Sequence, residues 1–421
     1  MTTIKDIIRR GCVHNFKRCS VERLQTTAQY EDDWLDISPY VISYPSIKKS
    51  FGDNVYLGDY QIDGGDLVLN NTGQRFSDES NFNSIFYGFL SRYRTKIKIE
   101  CGFYDDDMSE IQGAVFYGIV YSEPTLSDNA TISLSVAPLI KVLQNYTAYG
   151  ITTSSGTTGA IIDRILKKQV NGMRVLDRFF EGSTDAEKYQ INPSGATLTN
   201  VPNANIKLDS TMWDKIKNYS LIDDFFAYVN SAGNFVWDSK WEKTNVWTFN
   251  GPGALDNDYG CNIISLDSEK SGVNNVWTRI VITYNLAGSQ VQASDFWTPG
   301  DGGYQDIYGE RIFSYEITDL DSTKAQSMAD TLLNAYKAPK KEWAITTPFI
   351  PHLELKDIVT LNYVGNYSSS NAFIMDSSVL DGTDVLSGTL GSVFVENVAT
   401  KIVGIELDIN NLKSKFILKE I

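Results

Sequence analysis

The spacing of apolar and polar positions changes period several times along the chain. In residues 95–101 (TKIKIEC), Ile97, Ile99 and Cys101 share one face, and Lys96, Lys98 and Glu100 share the other. That two-residue period predicts a strand with one face buried. Residues 114–121 (AVFYGIVY) are apolar almost throughout, as expected of a strand covered on both faces. Residues 131–136 (TISLSV) alternate again, and residues 56–69 split into two short runs around the turn signal Asp63-Gly64-Gly65-Asp66. Such strands in succession over 36–148 predict an antiparallel barrel or sandwich.

The period then lengthens. After a small, polar stretch at 150–160, Ile161, Ile162, Ile165 and Leu166 fall at helical spacing, with Lys167 and Lys168 in the last turn. Residues 170–210 are loop-rich. Residues 210–229 read as one or two helices, with Met212, Trp213, Ile216, Tyr219, Phe226 and Val229 inward; a turn at 231–234 leads into the strand Phe235-Val236-Trp237. A second strand set begins at 277–284. The clearest helix is 323–336, where Ala325, Met328, Ala329, Leu332, Leu333 and Tyr336 form one stripe. Thr323 and Gln326 fit a capping box, and Pro339 lies just beyond the C-terminus. Strands follow at 343–347 and 358–363, and a closing hairpin at 399–408 and 413–419 turns around Asn410-Asn411. Residues 365–398, rich in Ser, Gly, Asn and Asp, read as an inserted surface loop.

The fold class expected is therefore mainly β with an α+β insertion. Residues 1–35 would be a basic N-terminal arm, since Lys5, Arg9, Arg10, Lys17, Arg18 and Arg23 outnumber Asp6 and Glu22. Residues 36–148 would form a first β-barrel or sandwich, 149–262 an α/β middle domain, and 263–421 a second strand set carrying the 323–336 helix.

Composition narrows the function classes. A chain of 421 residues has room for several domains, and a hydrophobic share of 42% excludes wholesale disorder. The net charge of −15 argues against a dedicated nucleic-acid binder, which would present a basic face. No apolar run reaches the roughly 18 residues of a membrane-spanning helix. The arm lacks the continuous apolar core of a secretory signal. Cys12, Cys19, Cys101 and Cys261 form no CxxC pair and read as free thiols.

Candidate chemistry is sparse. No phosphate-binding loop, dinucleotide fingerprint, nucleophile elbow or HExxH motif is present. A Ser-His-Asp triad would have only His14 and His352 to draw on. Cys12, His14 and Cys19 lie close together but fit no zinc spacing. Asp105-Asp106-Asp107 with Glu110, and 256–260 (DNDYG), have the flavour of calcium loops without the full ligand set. Asp105–Asp107 and Asp223-Asp224 are the candidate carboxylates for a glycosidase, though such runs usually cap helices or form solvated turns.

Four stretches go further when taken in order. They are residues 41–76 (VISYPSIKKSFGDNVYLGDYQIDGGDLVLNNTGQRF), residues 95–121 around Cys101-Gly102-Phe103 and 115–120 (VFYGIV), residues 211–237 ending in Asn234-Phe235-Val236-Trp237, and a C-terminal set. That set runs through Tyr308-Gly309-Glu310-Arg311, the 323–336 helix and Pro339 to 351–359 (PHLELKDIV), and the closing hairpin belongs with it. In this order the chain resembles the phage tail baseplate-hub, or tail-tip, family, built on a myophage-type hub with two tube-like barrels. The resemblance makes the strand set of 263–421 a second tube-like barrel, and it makes Gly73, Phe76, Gly102, Gly118, Tyr308, Gly309, Pro339, Pro351, Leu355 and Asp357 structural motif positions. Lys356 departs from the glycine common in the family, so the turn there is expected to differ.

The resemblance implies a virion protein without catalytic residues, metal or cofactor, assembled in the host bacterial cytoplasm. It implies a homo-oligomer, a trimer in the first place, that closes the distal end of the tail tube. Its partners would be the tube or distal ring, the tape measure protein, and a tip, spike or fibre. DNA would pass the channel without specific binding, and an acidic wall suits that, since like charge gives no counterion-release affinity. The alternative is a tail-associated carbohydrate-binding or carbohydrate-degrading β-protein, using the Asp pairs above or aromatics in loop 365–398.

Overall fold

The computed structural model describes residues 14–421 apart from 27–28, 32, 52–59, 106, 112, 123–124, 127–129, 149–155, 171, 194–196, 199–209, 224, 240–244, 252–260, 285–287, 296–302, 318–319, 356 and 368–390. It is mainly β, as expected, with two large sheets, an α/β unit and a small sheet under one helix.

The first sheet runs in the order Leu35–Asp36, Asn15–Leu24, Ser91–Tyr104, Ala114–Val120, Thr131–Pro138, Gly65–Asn70, Val41–Ser43, and every pairing is antiparallel. The expected alternation holds: Ile97, Ile99, Cys101, Ile132 and Leu134 are buried, and Ala114–Val120 is buried along nearly its whole length. The basic arm does not hold for its second half. Asn15–Leu24 is an interior strand of this sheet, because Phe16, Cys19, Val21 and Leu24 face the core. Its basic residues find partners on either side: Arg18 lies 2.7 Å from Glu110, and Arg23 lies 2.6 Å from Glu31. The charge run thus belongs to a paired strand, not to a solvated arm.

The second sheet runs Asn245–Asn250, Ile358–Tyr367, Gly391–Asp408, Lys413–Glu420, Glu342–Pro348, Ser265–Lys270. Ile47–Phe51 adds to it along Gly391–Asp408 and carries Tyr60–Asp63 in turn. The sequence boundaries at 36–148 and 149–262 therefore do not follow the sheets, since each stretch lends strands to the C-terminal one. The turn at Asp63-Gly64 is a crossing from one sheet to the other rather than a hairpin. At Gly64 a Cβ would lie 1.7 Å from the Val136 carbonyl oxygen, so only glycine fits the crossing. Both large sheets share one continuous core, from Leu67, Ile97 and Leu134 to Trp343, Ile402 and Phe416.

In the middle of the chain, helices Thr158–Leu166 and Met212–Ile222 pack with the strands Phe225–Val229 and Phe235–Ser239. Ile161, Ile162, Ile165, Leu166, Met212, Trp213, Ile216 and Tyr219 are buried as predicted. Phe226 and Val229 are buried too, but on a strand. The helix ends at the Asp223 cap, and the aromatic run FFAYV takes the extended form that such side chains favour.

Three strands, Gln290–Ser294, Arg279–Thr283 and Ile312–Glu316, make a small sheet under helix Ser322–Tyr336. The predicted stripe of Ala325, Met328, Ala329, Leu332, Leu333 and Tyr336 closes over Ile280, Ile282 and Ala293 in a separate core. The expected second barrel thus divides into the large sheet and this unit. The helix cap also differs: Asp321, not Thr323, accepts the Lys324 N–H at 2.9 Å. The closing hairpin forms as expected. Of the 365–398 loop, 365–367 pair with 391–393 as strand, and 368–390 lie outside the described residues.

Candidate functional site

The ten motif positions are spread over turns and packing points rather than gathered in one site. Gly73 adopts φ 77° in the turn after Gly65–Asn70. Phe76, closing that turn, is fully buried, donates its N–H to Asn71 Oδ1 at 2.7 Å and meets Tyr40 edge-on at 5.6 Å. Gly102 is buried opposite Phe16. At Gly118 a Cβ would stand 2.3 Å from the Ala137 carbonyl oxygen and 2.6 Å from the Phe116 ring. Tyr308 ends the short helix Tyr304–Tyr308, Gly309 closes it with φ 75°, and the Gly309 carbonyl accepts from Thr278 Oγ1 at 3.0 Å. Pro339 follows the long helix. Pro351 and Leu355 are buried, and Asp357 Oδ2 accepts the Glu354 N–H at 2.8 Å. Lys356 lies outside the described residues.

The candidate catalytic and metal residues have local structural tasks. Asp105 Oδ1 accepts the N–H groups of Asp107 and Ser109 at 3.0 and 2.8 Å, an Asx-type turn next to Met108 at φ 59°. Asp223 caps its helix and accepts the Thr158 hydroxyl. Cys12, Asp106, Asp224 and 256–260 lie outside the described residues. His14 is exposed, and its carbonyl accepts the Tyr104 N–H. Cys19 is buried, and burial pushes its thiol well up; that of Cys101 is pushed up to about 12 for the same reason. Among the described residues no cluster of three or more His, Cys, Asp or Glu could hold a metal ion.

His352 is largely buried, its ring meeting Trp247 edge-on with 5.0 Å between ring centres, and burial lowers its pKa to about 4. The imidazole is therefore neutral near pH 7.

The densest polar arrangement was not legible from spacing. Lys96, placed by its alternation on a polar face, is buried, with Nζ 2.8 Å from Glu22 Oε2 and 2.9 Å from Glu181 Oε1. The Tyr117 hydroxyl also donates to Glu181. Burial raises Glu22, with Lys96 opposing. Burial likewise pushes Glu181 up, but Lys96 and the Tyr117 hydroxyl outweigh it and hold Glu181 below the usual range. Glu181 belongs to the middle of the chain, where Asn234 Nδ2 donates to its carbonyl at 2.7 Å. The cluster ties that α/β unit to the first sheet. Buried charges persist only when paired in this way.

No protein-family model and no curated protein matches the chain. Among solved structures, the tail protein from Neisseria meningitidis MC58 superposes with a TM-score of 0.53 at 11% identity, over 96% of each chain. This chain shares the fold of that tail protein, in agreement with the resemblance read from the sequence. The prophage tail protein gp18 from Listeria monocytogenes EGD-e gives a TM-score of 0.48 at 12% identity, over 96% of this chain and 94% of that one. The 43 kDa tail protein of prophage MuSo2 from Shewanella oneidensis gives 0.48 at 10% identity, over 96% and 98%.

Proposed function

We propose that this chain is a structural protein of a phage tail, the baseplate hub or tail-tip protein that closes the distal end of the tail tube and adapts it to the tip. The observation that carries this reading is the sharing of fold with a tail protein, over 96% of both chains. Two large sheets around one core provide a rigid wall element, and no catalytic step belongs to the reading.

In this role the protein works as a homo-oligomer, a trimer, between the tube or distal ring with its tape measure protein on one side and a spike or fibre on the other. Edge strands serve such assembly: among the described residues, Ser265–Lys270 and Ile312–Glu316 each pair on one side only and are largely exposed, so neighbours could complete them. A net charge of −15 suits a channel wall past which DNA slides. The ten motif residues act by holding turns and strand crossings in register.

Immunogold labelling of tail particles, with light scattering and image averaging of the purified protein, tests the proposal. Label at the tail end distal to the head, and rings of three chains with a central hole, are expected. Label along the tube or on side fibres, or particles that assemble normally without the protein, would overturn it.

A further inference from the structure

The connection between strands Gly65–Asn70 and Ser91–Tyr104 leaves large apolar side chains in solvent. Phe82 is 77% exposed, Tyr87 and Leu90 are exposed as well, and so is Tyr93 at the start of the second strand. The segment is nevertheless held firmly. The Arg23 guanidinium lies 3.9 Å over the Phe89 ring and donates to the Ile85 carbonyl, while the Ser84 hydroxyl donates to the Ser77 carbonyl at 2.7 Å. Exposed aromatics on an ordered frame lose little entropy when they bind.

Beside Tyr93, where this segment enters the strand, stands a pair of cations. Arg94, at φ 66° in the strand bulge, lies 5.5 Å over the Tyr93 ring and donates Nη1 to the Tyr146 hydroxyl oxygen at 3.3 Å. Arg178 donates Nη2 to the same oxygen at 3.4 Å, and its Nε is buried without a hydrogen-bond partner. No carboxylate of the described residues pairs with either guanidinium. Glu22, which bears on the neighbouring Tyr30, is engaged by Lys96. In a chain with 52 acidic and 37 basic residues, two converging and uncompensated arginines are out of keeping with the whole.

We infer that Arg94 and Arg178, with the exposed Phe82, Tyr87, Leu90 and Tyr93, form a docking surface for an acidic, apolar peptide segment of a partner protein. A carboxylate of that segment meets the N–H groups of the two guanidiniums that the Tyr146 hydroxyl leaves free, where planar N–H forks match its geometry. Arg and aromatic side chains around one desolvated contact are the composition of an interface hot spot. The inference rests on these contacts and does not depend on the tail reading.

The test uses the full chain and a fluorescent peptide alternating glutamate and leucine, followed by anisotropy. Saturable binding is expected, weakened about tenfold or more by R94Q and by R178Q and lost when the peptide glutamates become glutamine. R94K and R178K keep the charge but lose the fork, so they should also weaken binding with circular dichroism unchanged; they serve if the glutamine variants do not fold. Equal binding of the glutamine peptide, or unchanged binding in all four variants, overturns the inference. So does preferential binding of inorganic phosphate or a single-stranded oligonucleotide. Self-association of the chain that the arginine variants abolish would assign the surface to a second copy and overturn it likewise.

Discussion

Lys49 Nζ lies 2.9 and 3.1 Å from the two carboxylate oxygens of Glu354, an ion pair between residues 305 positions apart. Lys49 sits on the strand that the N-terminal third lends to the second sheet, and Glu354 sits in the turn that Asp357 organises. The pair therefore fastens the excursion into the second sheet that ends at Gly64, where the chain returns to the first. Lys49 is buried, so removing one partner strands a charge that water reaches only in part. Lys49→Met is expected to lower the unfolding free energy by about 1–3 kcal/mol, and Glu354→Gln by less, since the amide still accepts from the lysine. Urea denaturation of the two variants checks this, and a Lys49→Met midpoint equal to the parent's would show that the pair contributes nothing.

The motif glycines divide into two physical classes, and substitution separates them. At Gly118 an added methyl meets backbone and a buried ring, neither of which can yield cheaply. Gly118→Ala is expected to cost about 2–4 kcal/mol by overpacking. Gly73 has open space around it but φ 77°, so Gly73→Ala carries only the left-handed backbone cost of about 1–2 kcal/mol. Thermal melts of both variants should rank Gly118→Ala well below Gly73→Ala.

The helix over the small sheet shows what spacing reveals and what it omits. The buried stripe from Ala325 to Tyr336 was legible because a 3.6-residue period leaves one solution for the apolar face. Its cap was not, since Asp321 is as good an N-cap residue as Thr323, and only the chain's entry angle chooses between them. Strands with a clear two-residue period, such as Thr131–Pro138, were legible in the same way, but Asn15–Leu24 and Phe225–Val229 were not, and strand partnership was not legible at all. Nothing local in Ile47–Phe51 says that it pairs with residues 404–407 rather than with its sequence neighbours. Lys96 was misread for a related reason, because alternation gives a side chain's face but not what covers that face. The Arg94–Arg178 pair joins residues far apart in sequence and left no local signal. For the cap, Asp321→Ala is expected to cost about 1 kcal/mol and Thr323→Ala a few tenths at most. Equal effects in denaturant titrations would return the cap to Thr323.

His352 gives a pH dependence whose sign is fixed. Its ordinary value near 6.5 falls to about 4 in the folded chain, because burial against Trp247 penalises the charged ring. Between those values the unfolded chain holds a proton that the folded chain does not. Stability therefore rises with pH across that window and is lost as pH falls from about 6.5 toward 4. A shift of this size corresponds to roughly 3–4 kcal/mol at most. Nδ1 is buried without a hydrogen-bond partner, so His352→Phe removes the titration, keeps an aromatic ring on Trp247 and leaves no polar atom orphaned. Glu22, whose value is raised by burial, titrates with the opposite sign in parent and variant alike, so it cancels in the comparison. Urea midpoints at pH 7.5 and 4.5 should show the parent losing more stability than His352→Phe on acidification. The two proteins losing stability in parallel would mean that the ring is solvated in the folded chain.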